Sequence, residues 1–351
     1  MDYAGLDYRN IRFPVDRPLT EAERAVRYQQ KKARSAPPMD FLSVIGFNSN
    51  YIDLVDRWYS IKGFNTWVGA LVVLLSIGGC AGIYIALFFS GRTAPLEMVD
   101  WIGLSFLTPL FLAMIWGGWW LIRTECGRWT HYPMRLNRRT RQVHVFRQDG
   151  SVLTVPWDSL FLTLGKEKSP LSGTTYDLRA HVLDADGETV RESFSLGYPS
   201  PLGNADSIDK FWAFLQPYME AEDGVERTWR YLKDDAGYLV PVDGRKEGWR
   251  WTIVRSFMLG AHWPYLQLVF APFLGLNTIG RMFAMWTSKV PQWPEEVERE
   301  NPVEADDPYV LTWRDNGPIG WWELYWPLIC TVIGVGGYVG VIVWVVSGLW
   351  R

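Results

Sequence analysis

The chain has 351 residues, 21 of them tryptophan, a formal net charge of −3 and a mean hydropathy of −0.06. A charge so near balance excludes the basic footprint of a nucleic-acid binder. Cys80, Cys126 and Cys330 form neither a disulfide framework nor a metal-ligand spacing, so no cofactor or metal is expected.

In chain order, residues 1–62 read as a polar arm without a signal-peptide core. Within it Thr20-Glu21-Ala22-Glu23 matches a capping box, and helix formers continue to Arg34 before Pro37-Pro38. Residues 63–122 read as a transmembrane hairpin. Its two uncharged runs, Trp67 to Phe89 and Trp101 to Ile122, each meet the roughly 20 residues that cross a bilayer. Pro327 to Leu349, within residues 321–351, gives a third. Trp58, Trp67, Trp101, Trp119, Trp120, Trp321, Trp322, Trp326 and Trp350 mark the segment ends, where an amphipathic ring prefers the membrane–water boundary. Gly78/Gly82 and Gly336/Gly340 have the small-xxx-small spacing of close helix contacts. They are expected to pack the first helix on the third, or one copy on another in a homo-oligomer.

Ten Lys/Arg precede the first span, and seven arginines follow the second between Arg123 and Arg147. The connection from Ser90 to Asp100 holds only Arg92. The positive-inside rule therefore places the N-terminus and the middle region in the cytoplasm.

Residues 123–221 read as an antiparallel β domain closed by one helix, with the architecture of a pleckstrin-homology-like fold. Gln142–Phe146 and Ser151–Val155 flank the Asp149-Gly150 turn, and Thr175–Leu183 and Thr189–Leu196 form a second pair. After Pro199 and Pro201, Asp206 is expected to cap a helix to Met219, with Ile208, Phe211, Trp212 and Leu215 on one face. Residues 222–248 read as a charged linker and 291–320 as an acidic, Pro-rich loop. Residues 249–290 are aromatic but broken by Arg255, His262, Pro264, Gln267, Pro272, Asn277 and Arg281. A re-entrant or interfacial segment is the favoured reading there, with a fourth span as its rival. The fold class is thus α+β integral membrane protein, with three transmembrane helices and a fourth left open.

No nucleotide-binding, nucleophile-elbow or metalloprotease pattern is present, and His131, His144, His181 and His262 are scattered. The chain is not expected to be an enzyme. Spans free of Asp, Glu, Lys, Arg and His also disfavour transport. Arg135, Arg138, Arg139, Arg141 and Arg147 are the candidate contacts for anionic lipid or a partner.

At Leu136-Asn137-Arg138-Arg139-Thr140-Arg141-Gln142-Val143, Val145-Phe146-Arg147 and Val155-Pro156-Trp157 the sequence resembles a bacterial multi-pass membrane-protein family of unknown function. Phe211-Trp212-Ala213-Phe214, Tyr218-Met219-Glu220 and Pro291-Gln292-Trp293-Pro294 are similar to it too, so the resemblance covers about Trp67 to Asp307. Members are often encoded beside type VI secretion or Rhs effectors. The resemblance implies an inner-membrane immunity protein that binds and neutralises a cognate effector toxin. A lipid-sensing scaffold is the alternative, and a small transporter or channel subunit a third.

Overall fold

The computed structural model describes residues 13–89, 91, 95–169, 173–197, 204–258 and 264–349. Ser90, Arg92, Pro199, Pro201, His262 and Trp350, named above, lie outside the described residues.

The N-terminal region contributes β1 (Arg17–Pro18), α1 (Glu21–Ala25), β2 (Arg27–Tyr28), β3 (Val44–Phe47) and β4 (Tyr51–Leu54). Two long apolar helices follow, α2 (Phe64–Phe88) and α3 (Met98–Glu125). Six strands come next: β5 (Met134–Asn137), β6 (Gln142–Phe146), β7 (Val152–Pro156), β8 (Leu160–Ser169), β9 (Gly173–Leu183) and β10 (Thr189–Ser195). The remaining helices are α4 (Asp206–Glu220), α5 (Gly224–Asp234), α6 (Trp249–Phe257), α7 (Pro264–Thr287), α8 (Glu295–Glu300) and α9 (Trp321–Leu349).

The strands make two five-stranded antiparallel sheets, ordered β1-β10-β9-β8-β2 and β3-β4-β5-β6-β7. Both sheets take in strands from the first 62 residues, so that region is part of the β body and not a separate arm. The N-terminal helix is also shorter than its composition suggests. The Thr20/Glu23 capping box forms, but α1 ends at Ala25. Tertiary packing overrides helix propensity here: Tyr28 is pulled into the core, where its ring meets Trp212 edge-on. Gln30 likewise donates to the carbonyls of Trp157 and Leu160.

The main core lies between the sheets and α4. That helix buries Ile208, Phe211, Trp212, Leu215 and Tyr218, and Trp212 stacks on Trp157 at 6.1 Å. Its first turn is served by Asn204, whose Oδ1 accepts from the Asp206 amide, so the cap lies before Asp206 and is not Asp206 itself. The expected charged linker also folds. α5 packs Leu232 into the core, and Val240 donates its amide to the Val44 carbonyl.

Four helices are long and apolar enough to cross a membrane, within Tyr59–Phe88, Met98–Glu125, Tyr265–Thr287 and Trp321–Val341. Such helices suggest a membrane protein. Most of their surface is bare within one chain: Leu74, Phe106, Trp116, Val332 and Trp344 are all more than two-thirds exposed. α7 is continuous through Pro272, Asn277 and Arg281, which the sequence treats as interruptions.

The chain after α7 returns to the sheets. Lys289 exchanges backbone hydrogen bonds with Arg128 and Thr130, and Leu311 pairs with Phe47. Between them the acidic stretch is bound to the β body. The Ser49 amide and hydroxyl donate to Asp307, and Asn137 donates to the Asn301 side chain.

Candidate functional site at the helix–sheet junction

The arginines singled out in the sequence come from β5, β6 and their connecting turns, and most are committed inside the protein. Arg135 is 3% exposed and makes a bidentate pair with Asp53, both bonds 2.8 Å. Its guanidinium lies between the rings of Tyr51 and Trp293, at 3.9 and 5.1 Å. Arg138 donates to the carbonyls of Tyr218 and Ala221 at the C-terminal end of α4. Arg141 reaches the Met219 carbonyl and the carboxylates of Asp158 and Glu220. A cation at a helix C-terminus satisfies unpaired carbonyls and meets the negative end of the dipole. Arg147 pairs with Glu192 on β10, joining the two sheets. Only Arg139 stands in solvent, 3.3 Å from an equally exposed Glu304. The cluster is a structural fastening, with little charge left for a lipid or partner.

The glycines divide in the same way. Among the described residues, a Cβ on Gly78, Gly82, Gly336 or Gly340 would meet nothing within 4 Å, so none of them makes a close helix contact there. Close contacts occur elsewhere. A Cβ on Gly69 would lie 2.5 Å from the Gly118 carbonyl oxygen, and one on Gly118 would lie 2.7 Å from that of Gly69. Gly334 approaches the Leu268 carbonyl similarly, so α9 packs on α7. A contact between copies remains the reading open to the expected pairs.

Sequence reasoning misses a buried charged region where α2, α3, α6 and α7 meet the β body. Glu247 and Arg281 are buried, with Arg281 Nε 2.6 Å from Glu247 Oε1 and Nη2 2.8 Å from Oε2. Tyr59 closes the group: its hydroxyl donates to Glu247 and accepts from Trp251 Nε1, while its carbonyl accepts from Arg281 Nη1. Thr252 also donates to Glu247. Burial opposes ionisation of Glu247, but the adjacent guanidinium outweighs it and holds the carboxyl below its ordinary value.

A second carboxylate serves the start of α2. Glu125, at the end of α3, accepts from the amides of Gly63 and Thr66 and from the Thr66 hydroxyl at 2.6 Å. This places negative charge at a buried helix N-terminus, where orphan amides and the dipole favour it. Gly63 has φ 101° and a Cβ there would lie 2.4 Å from the Arg281 amide nitrogen, so the junction requires glycine at this position. Lys62 donates to the Trp129 carbonyl. Burial pushes the nearby Asp56 carboxyl up to about 6, despite the Tyr132 amide, the Lys62 ammonium and the Trp58 amide. Burial, helped by Lys62, takes His131 down to about 3, leaving it neutral at physiological pH.

The available signal was Arg281 inside an apolar segment and Glu125 at the end of another. Ionisable groups at such positions are expensive and normally partnered. Their partners, Glu247 and the residues 63–66, lie too far away in sequence to be paired from one chain.

One further group has the chemical types of a nucleophilic triad. His181 Nδ1 lies 2.6 Å from Ser193 Oγ, and Nε2 lies 3.3 Å from Glu23 Oε1. Ser193 and His181 are directly opposite residues in the β9–β10 ladder and both are buried, 3% and 1% exposed. A substrate carbonyl cannot approach an Oγ inside a paired sheet, so the group is read as a core hydrogen bond. Among the described residues no group of three His, Cys, Asp or Glu could hold a metal ion.

A family described as a family of unknown function, DUF6708, matches residues 111–305, more than half of the 351. The chain belongs to this family. No curated protein and no solved structure matches it. The DUF6708 segment begins inside α3, later than the Trp67 suggested by the motifs, and contains Glu125, Glu247 and Arg281. The partners Asp53, Tyr59, Lys62 and Gly63 precede it, and α9 follows it. Two motifs of the resemblance also meet across this segment, because Trp293 of Pro291-Gln292-Trp293-Pro294 lies edge-on to Phe146 of Val145-Phe146-Arg147, with ring centroids 6.1 Å apart.

Proposed function

We propose that this DUF6708 protein is a membrane-anchored binding protein that neutralises a cognate secreted effector toxin through its cytoplasmic β body. The observation that carries the binding reading is the division of labour between the parts. The buried Glu247, Arg281 and Glu125 gather at the junction, where neighbours satisfy them. The long helices then act as an anchor, and the two sheets carry the surface available to a partner. Blocking a toxin requires surface complementarity and no reaction. The toxin itself enters through the resemblance at Leu136–Val143. Co-expression of the neighbouring toxin gene with and without this protein tests it; rescue of growth with co-purification is expected, and unchanged killing without co-purification refutes it.

The lipid-scaffold alternative rested on the pleckstrin-homology-like architecture and on Arg135, Arg138, Arg139, Arg141 and Arg147. Internal pairing of four of these weakens it.

The same contacts support a topology. α6 leaves the β body at Trp251 and has nine residues, a rise of about 13 Å. Gln267, near the start of α7, donates to the Phe257 carbonyl, and Arg281 is back at Tyr59. A hydrocarbon core is about 30 Å thick, so this hairpin fits a segment that enters and leaves on one side. The acidic stretch bound to the sheets then stays cytoplasmic, and α9 carries the C-terminus to the opposite face. A C-terminal alkaline phosphatase fusion is expected to be active and a green fluorescent protein fusion dark; the reverse pattern rejects this topology.

A further inference from the structure

We infer that the helical layer holds one anionic phospholipid, with an acyl chain in a groove between α6, α7 and α9 and its phosphate at a cationic rim formed by Arg245, Lys246 and Arg250. The groove has a volume of about 430 Å3 and is walled by side chains such as Ile253, Phe257, Leu276, Met282, Leu328 and Val335. Its two hydroxyls are already used within their own helices: Thr278 donates to the Leu274 carbonyl and Thr331 to that of Pro327. A polar ligand would find no partner on these walls, whereas a hydrocarbon chain loses nothing by entering. The helices that form it include two apolar enough to cross a membrane, so acyl chains are the hydrocarbon at hand.

The rim supplies the other half of the ligand. One turn from Ile253 towards the β body stand Trp249 and Arg250, and one turn from Met282 stands Trp286. Trp249 and Trp286 are exposed, 55% and 72%, as expected of rings at a headgroup level. Arg250 lies over Trp249 at 5.3 Å, Arg245 over Trp313 at 4.3 Å, and Lys246 donates to the Trp286 carbonyl. All three cations are exposed, and among the described residues none has a carboxylate at ion-pair distance. The acid between them, Glu247, is taken by Arg281. This is the reverse of the Arg135–Arg147 cluster, whose charges are mostly spent internally. Charge complementarity next to an apolar groove therefore selects a phospholipid over a partner helix, which would bring no phosphate to the rim.

The test uses the full-length protein in mild detergent, with an equimolar mixture of phosphatidylglycerol and phosphatidylcholine, read by native mass spectrometry. One retained phosphatidylglycerol is expected. K246A/R250A should lower its retention about thirtyfold relative to phosphatidylcholine, since each basic residue near an anionic lipid contributes a factor of about five to binding. L276W, which fills the groove from a partly exposed position, should lower retention of both lipids. Monodispersity of each variant on size exclusion guards against misfolding. Equal retention of the two lipids by the wild type, or retention unchanged in either variant, overturns the assignment. Displacement of lipid by a co-purifying protein subunit would overturn it in favour of a partner helix.

Discussion

Arg281→Met is expected to destabilise the protein by about 3–5 kcal/mol, because it leaves the Glu247 carboxylate buried without its counter-ion. Both side chains are at 0% exposure, so neither water nor salt can substitute. Glu247→Leu should cost a similar amount for the converse reason. The double variant should recover a large part of the loss, since two apolar side chains leave no uncompensated charge. Recovery will be incomplete, because the Tyr59 carbonyl and hydroxyl each lose a partner. Thermal unfolding in detergent, followed by size-exclusion fluorescence, gives all three values and the coupling between the sites. A single variant as stable as the wild type would show that the junction is not held by this pair.

Replacing Gly118 by leucine should separate α2 from α3 and cost about 1–3 kcal/mol, the usual range for overpacking a close contact. The clash is with backbone, at 2.7 Å from the Gly69 carbonyl oxygen, so no side-chain adjustment can relieve it. Gly82→Leu is the informative control. Among the described residues nothing lies within 4 Å of its added Cβ, and its melting temperature as a monomer should be unchanged. Should Gly82→Leu or Gly336→Leu instead lower the oligomeric state in cross-linking, the expected glycine pairs would be contacts between copies. Equal effects of Gly118→Leu and Gly82→Leu on monomer stability would contradict the packing described.

The parts legible in the sequence were those whose signal is local. Uninterrupted apolar length identified α2, α3 and α9; Asp149-Gly150 marked a hairpin turn; the Ile208–Leu215 stripe marked α4. Strands β3 and β4 carry a local signal too, since Val44–Phe47 and Tyr51–Leu54 flank the turn residues Asn48-Ser49-Asn50. The polar residues on either side of these short strands mask it. What sequence could not provide was partner identity over long separations. Arg135 and Asp53 are 82 residues apart, and Arg281 and Glu247 are 34 apart. Without those partners an arginine on a strand and one in an apolar helix both look available. Continuity of α7 was hidden for a related reason: a proline inside a helix and an arginine near its end are tolerated once neighbouring elements satisfy them.

The central place of β4 bears on how the protein can be cut. It pairs with β5 along its whole length, Tyr51 opposite Asn137 through Leu54 opposite Met134, yet the intervening chain runs out through α2 and back through α3. A fragment limited to residues 123–221, or to the DUF6708 segment 111–305, would leave β5 as a bare edge and Arg135 without Asp53. Exposed edges of this kind recruit other strands and aggregate. The smallest contiguous piece that can fold therefore includes the helical hairpin, and a version without α2 and α3 would need the two halves rejoined by a short loop from Val55 to Tyr132, with α7 and α9 still presenting their apolar surfaces.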